Sequence, residues 1–214
     1  LNNLAQSQSA LSQLAMNGKS IDGGLYTWFT RQAQSAPHWL DSLISFYATL
    51  GLGLVALMMV WGWWQARQAR SATAMATALA VPVAVVVAYV VNDLFKTIFT
   101  EARPCQSIAG TVTVDPCPGV GDWSFPSNHA TIAAAAAAAL WVVNRTMGII
   151  AAALALLMAF ARVWVGAHYP HDVVVGLLVG VAVALPVMLL ARRYAPPLVV
   201  RLQSGVLRPL LTAG

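Results

Sequence analysis

Charge is scarce in this chain: Asp, Glu, Lys and Arg together make up 9% of its 214 residues. A surface so poor in charge does not suit a water-facing domain. Apolar residues reach 59% with a mean hydropathy of +0.70, against roughly 45–50% apolar usage in soluble domains, so the composition is that of a membrane protein. Cysteine is nearly missing as well, and the two present, Cys105 and Cys117, are too few for a thiolate zinc site. No His-x-x-x-His pair and no second carboxylate cluster accompanies His129, His168, His171 and Asp172. A metal hydrolase therefore lacks its usual ligand pattern, and neither a metal nor another cofactor is expected. The first 40 residues contain no apolar stretch long enough for a secretory signal peptide, and no internal repeat suggests a solenoid.

Apolar runs of about 20 residues can cross a hydrocarbon core of roughly 30 Å as helices. Five occur, at residues 43–64, 73–91, 128–143, 147–165 and 173–190. The third is short and rich in alanine and, taken alone, also suits a buried helix; its neighbours favour a span. The predicted fold is an all-α polytopic membrane helical bundle of about five to six spans with N-terminal interfacial amphipathic helices. It forms one domain over residues 1–214, with interfacial helices over 1–40, the bundle that holds the chemistry over 41–192 and a cytoplasmic tail over 193–214.

The formal net charge of +5 could suit nucleic acid, but the cations sort by loop. Arg67 and Arg70 follow the first run, Arg145 the third, and Arg192, Arg193, Arg201 and Arg208 the fifth. All fall on one side of a five-span arrangement, the side that the positive-inside rule makes cytoplasmic. The expected partner is the bilayer, not nucleic acid. The N-terminus, the long loop before the third span and the loop joining the fourth and fifth then face outward. Both cysteines lie in that long outer loop, where an oxidising compartment favours a Cys105–Cys117 disulfide; two free thiols or a metal pair are the alternatives.

Leu4, Leu11 and Leu14 fall at near-helical spacing before a stop at Asn17-Gly18. Ser20 and Asp22 can cap a second helix that carries Leu25, Trp28 and Phe29 and ends at Pro37. Trp39 and the cluster Trp61, Trp63 and Trp64 fit aromatic belts at the two membrane surfaces. Gly176 and Gly180 form a small-xxx-small pair, and residues 133–139 are an unbroken alanine run; both permit close helix packing within one chain.

Most of the remaining polar groups fall in three strings. Tyr169-Pro170 suits a helix start, which puts His168 just before the fifth span and Asp172 in its first turn, where the helix dipole favours a carboxylate. A carboxylate on one imidazole nitrogen leaves the other free as a nucleophile. Arg162 lies within an apolar run, where a guanidinium marks function and matches phosphoryl oxygens with its planar fork. Ser127, Asn128 and His129 open the third span after Pro126; free N–H groups at a helix start bind anions, and His129 can act as general acid. Lys96 and Arg103, seven residues apart, share a helix face if the second helix extends past the membrane, and they offset phosphate charge. His171 has no such partner and is read as interfacial.

Together, Lys96-x6-Arg103-Pro104, Pro126-Ser127-Asn128-His129 and Arg162-x5-His168-x3-Asp172 resemble the three signature motifs of the type 2 phosphatidic acid phosphatase superfamily. The resemblance implies a metal-independent phosphatase working through a phosphohistidine. His168 then matches the nucleophile, Asp172 its orienting partner and His129 the general acid, while Lys96, Arg103, Ser127, Asn128 and Arg162 lie at phosphate-binding positions. Two positions depart from the pattern: Asn128 stands where glycine is common, and Ala161 where serine is. The stretches Ser124-Phe125-Pro126-Ser127-Asn128-His129-Ala130-Thr131 and Val165-Gly166-Ala167-His168-Tyr169-Pro170, with Leu40-Asp41-Ser42, resemble the bacitracin-resistance type of undecaprenyl diphosphate phosphatase. This implies hydrolysis of a polyprenyl diphosphate at the outer face of a bacterial inner membrane. Phosphatidic acid, phosphatidylglycerol phosphate and a lipid-linked sugar phosphate are the alternative substrates. Two other classes compete: a haloperoxidase sharing the anion pocket, expected to be soluble, and a transporter using Arg162 and Asp93, which would need polar groups across the membrane's depth.

Overall fold

The computed structural model describes residues 16–213 and is built of helices. In chain order they are α1 Gly18–Ser35, α2 His38–Gln68, α3 Ala72–Ile98, α4 Pro104–Ser107, α5 Asn128–Val143, α6 Arg145–Trp164, α7 Pro170–Tyr194, α8 Pro196–Gln203 and α9 Arg208–Leu211. Four of them, α2, α3, α6 and α7, are long and apolar enough to cross a membrane. The expected leucine-bearing helix around Leu4, Leu11 and Leu14 lies outside the described residues.

The short alanine-rich run became the centre of the bundle. Helix α5 has 16 residues, about 24 Å at 1.5 Å per residue, less than the roughly 30 Å hydrocarbon core. It is packed against α3, α6 and α7, and Ala133, Ala135, Ala136 and Ala139 are fully or almost fully buried. Neighbouring helices, not lipid, surround it, so its length need not match the bilayer. Alanine makes this possible because it lets backbones approach closely. Gly176 and Gly180 on α7 serve the same contact: a Cβ at Gly176 would come within 2.7 Å of Ser127 O, and one at Gly180 within 2.8 Å of Ala135 N. The small-xxx-small pair is thus an intrachain contact.

Lipid contact falls to the outer helices. On α2, Leu43, Phe46, Leu50, Leu54, Leu57 and Trp61 are each about half exposed or more and recur at three- and four-residue spacing, forming one apolar stripe. Helix α3 runs beyond the apolar stretch that ends at Val91, through Asn92 and Lys96. Hydropathy could not see this turn, because it is held by side-chain hydrogen bonds to the bundle: Asn92 Nδ2 donates to Pro126 O at 3.2 Å and to Asn128 Oδ1 at 2.6 Å. Loop ends are capped as their sequences suggest. The Ser71 side chain accepts from Ala74 N, and that of Asn144 from Met147 N.

The first and last described helices both fold onto the bundle. Helix α1 has a non-helical residue at Asp22, with φ −144° and ψ 26°, so a cap-like break precedes the main segment. Tyr26 is fully buried and donates its hydroxyl to Gly166 O at 3.0 Å, and Phe29 meets Phe160 edge-on. At the opposite end, the segment expected as a tail forms α8 and α9. Val199 and Leu211 join Ala66, Met75, Ala76 and Ala78 in an apolar cluster, while Trp63 Nε1 and Arg67 Nε donate to Leu210 O and Pro209 O. Between α3 and α5, Cys105 and Cys117 are joined by a disulfide, with Cα atoms 6.0 Å apart.

Candidate active site

The end of the bundle capped by α1 gathers the three strings. Gly166 supplies the turn between α6 and α7 with a φ of +86°, and a Cβ there would meet the Thr113 side chain at 2.5 Å; this left-handed, crowded position suits glycine. The turn delivers His168 to the start of α7, where Pro170 occupies the first helical turn. One turn in, Asp172 is fully buried. Its Oδ2 accepts from Tyr169 N at 2.8 Å, from the Ser124 hydroxyl and from His168 Nδ1 at 3.2 Å. Ser127 N donates to Asp172 O at 3.1 Å, which ties the second string to the third through the backbone.

The other nitrogen of His168 faces a cation. Arg103 Nη1 lies 3.0 Å from His168 Nε2 and donates to Ala167 O at 2.8 Å. Arginine only donates, so Nε2 accepts, and the ring's proton sits on Nδ1 against Asp172. The neighbours thereby assign the tautomer with its Nε2 lone pair directed away from the carboxylate. His168 is 2% exposed and lies between the membrane-spanning helices. Burial first, then the charges of Arg103, Arg162, Lys96 and His129, hold its imidazole well below the ordinary value of 6.5. Arg103 is fixed in turn by Asp122, through Nε to the backbone oxygen at 2.9 Å and Nη2 to Oδ1 at 2.9 Å.

Lys96 and Arg103 do not share a helix. Helix α3 ends at Ile98, and Arg103 follows an irregular stretch as the residue before α4; Pro104, which cannot continue a helix begun upstream, marks the break. Both side chains nonetheless converge, Lys96 donating from Nζ to Trp123 O at 2.6 Å. Ser127 is fully buried, yet its Oγ has no hydrogen-bond partner among the described residues, and the same holds for Nε of Arg162. His129, in the first turn of α5, is within electrostatic reach of Arg162, Arg103, Lys96 and His168. The side-chain oxygen of Asn128 is engaged by Asn92, leaving its backbone N–H at the helix start as the anion-facing group.

Sequence reasoning missed a second layer. His171, read as interfacial, is 15% exposed in its side chain and clamped by carboxylates: its backbone N and Nδ1 meet Asp22 Oδ2 and Oδ1 at 2.7 and 2.8 Å, and its Nε2 meets Glu101 Oε2 at 3.1 Å. A polar residue beside Pro170 looked like a surface residue because nothing in the local pattern reveals α1 folding over it. One signal was available: Glu101 is the only glutamate in the chain, and it stands two residues before Arg103. Ser124 and Asp122 were likewise within reach of the strings but unassigned. Asp93, by contrast, is exposed and forms no part of this cluster.

Residues 75–195, more than half of the chain, match the model of the PAP2 superfamily. The chain belongs to the PAP2 superfamily. This PAP2 chain is 35% identical over 123 residues to the undecaprenyl-diphosphatase BcrC of Bacillus subtilis (strain 168), a match covering 56% of this chain and 62% of BcrC. It is 34% identical over 92 residues to an undecaprenyl-diphosphatase of Sulfolobus acidocaldarius, covering 42% of this chain and 44% of that one. The matched part is therefore less than two thirds of either relative's length. The crystal structure of LpxE from Aquifex aeolicus shares the fold, with a TM-score of 0.60 and 21% identity over 81% of this chain and 96% of LpxE. With four helices long and apolar enough to cross a membrane, this PAP2 chain is a multi-pass membrane protein.

Proposed function

We propose that this protein is a metal-independent lipid phosphatase that hydrolyses a polyprenyl diphosphate to the monophosphate through a phosphohistidine on His168. The observation that carries this reading is a pair of buried donors left open: the Ser127 hydroxyl and Arg162 Nε have no hydrogen-bond partner among the described residues, and the lone pair of the proposed nucleophile faces Arg103. Buried polar atoms without partners call for an explanation, and a phosphoryl group with three acceptor oxygens supplies one. Lys96, Arg103 and Arg162 offset its charge, and the first N–H groups of α5 add the helix-start contribution.

In the reaction so read, His168 Nε2 attacks the terminal phosphorus, a P–N bond forms and the bond to the bridging oxygen breaks. His129 gives its proton to that leaving oxygen, and Asp172 stabilises the imidazolium that develops at Nδ1. Water then attacks the phosphorus as His129 takes its proton, the P–N bond breaks and returns its electron pair to His168 Nε2, and inorganic phosphate departs. A polyprenyl substrate is supported by the two relatives named above and by an apolar cleft of about 410 Å³ between α5, α6 and α7, lined by Ala134, Ala138, Trp141, Leu156 and Leu177 among others. The cation distribution supports a site on the extracytoplasmic side of a bacterial inner membrane.

Phosphate release by detergent-solubilised protein, with a chelator present, tests the reading. Release from a polyprenyl diphosphate that disappears in His168→Ala is the expected result. Faster release from phosphatidic acid or phosphatidylglycerol phosphate would move the substrate to that class, and full activity of His168→Ala would overturn the mechanism.

A further inference from the structure

Behind Asp172, on the side away from His168, three ionisable groups that the proposed reaction does not use, His171, Asp22 and Glu101, meet one another and the carboxylate of Asp172. His171 Nδ1 faces Asp22 at 2.8 Å, and His171 Nε2 faces Glu101 Oε2 at 3.1 Å and Asp172 Oδ1 at 3.3 Å. Glu101 is fully buried. Carboxylates accept and do not donate, so a ring with oxygens at both nitrogens donates from both and carries positive charge. That cation lies between Glu101 and Asp172, which otherwise stand side by side as buried like charges, an arrangement in which two carboxylates share a proton. Asp172 cannot hold the Nδ1–H of His168 with full charge while sharing one.

The two oxygens of Asp172 are divided accordingly. Oδ2 takes Ser124, Tyr169 N and His168. Oδ1 has no hydrogen-bond partner of its own among the described residues and forms its ion pair with the His171 cation. We propose that His171 is a positioning residue, held by Asp22 and Glu101, which keeps Asp172 charged and in register with His168 and so makes helix α1 part of the reaction machinery. The inference rests on the phosphatase reading. Asp22 is the link to α1, since it grips both the backbone and the ring of His171. The phosphate-binding groups Lys96, Arg103, Ser127 and Arg162 lie outside this bridge, so its loss should act on turnover and leave substrate binding alone.

The test is steady-state phosphate release by the full-length wild type and three variants. His171→Phe preserves the ring stacked on Tyr169 and beside Phe125 but donates nothing; His171→Gln retains a donor toward Glu101 and Asp172; Asp22→Asn leaves the stacked ring in place and removes the charge that α1 contributes. Misplacing a reacting group by about 1 Å can slow an enzyme about a hundredfold. The expectation is a kcat loss of about 10- to 100-fold in His171→Phe, a smaller loss in His171→Gln and in Asp22→Asn, and KM within about twofold throughout. A His171→Phe protein with wild-type kcat overturns the proposal, and so does a change confined to KM. If His171→Phe does not fold, Asp22→Asn decides by the same criterion. A divalent metal found at one per chain in purified wild type and lost in His171→Phe would replace the ionic bridge with a cation held by Glu101, His171 and Asp172, whose ligand atoms lie within 4.8 Å of one another. No phosphate release by the wild type overturns the phosphatase reading, whereas active wild type with undiminished variants overturns this proposal alone.

Discussion

Asp172→Asn tests the geometry most sharply, because the two ends of an amide differ where the two oxygens of a carboxylate do not. Three donors converge on Oδ2, from Ser124, Tyr169 N and His168 Nδ1. The amide oxygen must take that place, since the NH2 group cannot accept. The His168 tautomer is thereby retained, and the loss is confined to the charge on one hydrogen bond. Hydrogen bonds to charged groups contribute about 1.5–3 kcal/mol, which at 1.36 kcal/mol per decade predicts a fall in kcat of about 10- to 150-fold. The amide NH2 would then oppose His171 Nε2, 3.3 Å from the present Oδ1, adding to the loss. Single-turnover phosphate release from a polyprenyl diphosphate would read it, with KM measured alongside. A loss below threefold would refute the orienting role of Asp172. A loss as complete as that of His168→Ala would refute the retained tautomer, since only a flipped amide would withdraw the nucleophile's lone pair altogether.

His129→Ala is expected to lose far more activity on a lipid diphosphate than on an activated aryl phosphate, whose leaving group needs no proton; equal losses on both would remove the acid role. Ser127→Ala deletes a buried hydroxyl that has no hydrogen-bond partner among the described residues, so the thermal midpoint should hold or rise while inhibition by orthovanadate weakens about tenfold, the equivalent of one hydrogen bond of about 1.4 kcal/mol. The depressed pKa of His168 keeps its ring neutral at pH values where an ordinary histidine is charged, so the acid limb that this group gives to kcat/KM should fall below 6.5. For stability the sign is set by the unfolded chain, which binds a proton near 6.5 when the folded one does not. This contribution therefore falls as pH drops below about 6.5, readable as the thermal midpoint of wild type against His168→Ala. Gly180→Ala would press a Cβ to within 2.8 Å of Ala135 N and should destabilise by about 1–3 kcal/mol through overpacking, measured by thermal unfolding in detergent.

The bundle and the three strings were legible because both are written locally. Apolar runs report spans, and Pro170, Pro126 and Gly166 fix turns close to the residues they deliver. What stayed hidden depends on contacts distant in sequence. Asn92 continues α3 past its apolar end only because Pro126 and Asn128 accept its hydrogen bonds. Asp22 and His171, 149 residues apart, meet only because α1 folds over the end of the bundle that gathers the three strings. The break after Ile98 was missed for the opposite reason: a seven-residue spacing between two cations fits a helix face, and only the backbone shows that the face is not there. Hydropathy also could not tell that α5, among the apolar runs, is the one enclosed by its neighbours. Its alanines are apolar, but their use is closeness, since they bring α5 against α7 and carry Ser127 and His129 to Asp172 and His168.

The contact between Arg103 and His168 has a consequence for how the proposed reaction begins. Arg103 donates toward Nε2 of His168, the atom that would attack phosphorus, while Asp122 holds the rest of the guanidinium. A nucleophile whose lone pair is occupied does not attack. A phosphoryl group entering beside Ser127 and Arg162 offers charged acceptor oxygens, which bind a guanidinium more strongly than a neutral imidazole does. It would therefore draw Arg103 away and free Nε2 as it arrives. In the proposed reaction the cations that would bind the phosphate and the neutral state of His168 are one arrangement: the same charges that disfavour a protonated His168 would be neutralised by the substrate. On that account Arg103→Lys, a point charge without the planar fork, should raise KM and lower kcat together, since Lys cannot hold Asp122, Ala167 O and the phosphate at once. A rise in KM with kcat unchanged would show that Arg103 binds substrate without governing the nucleophile.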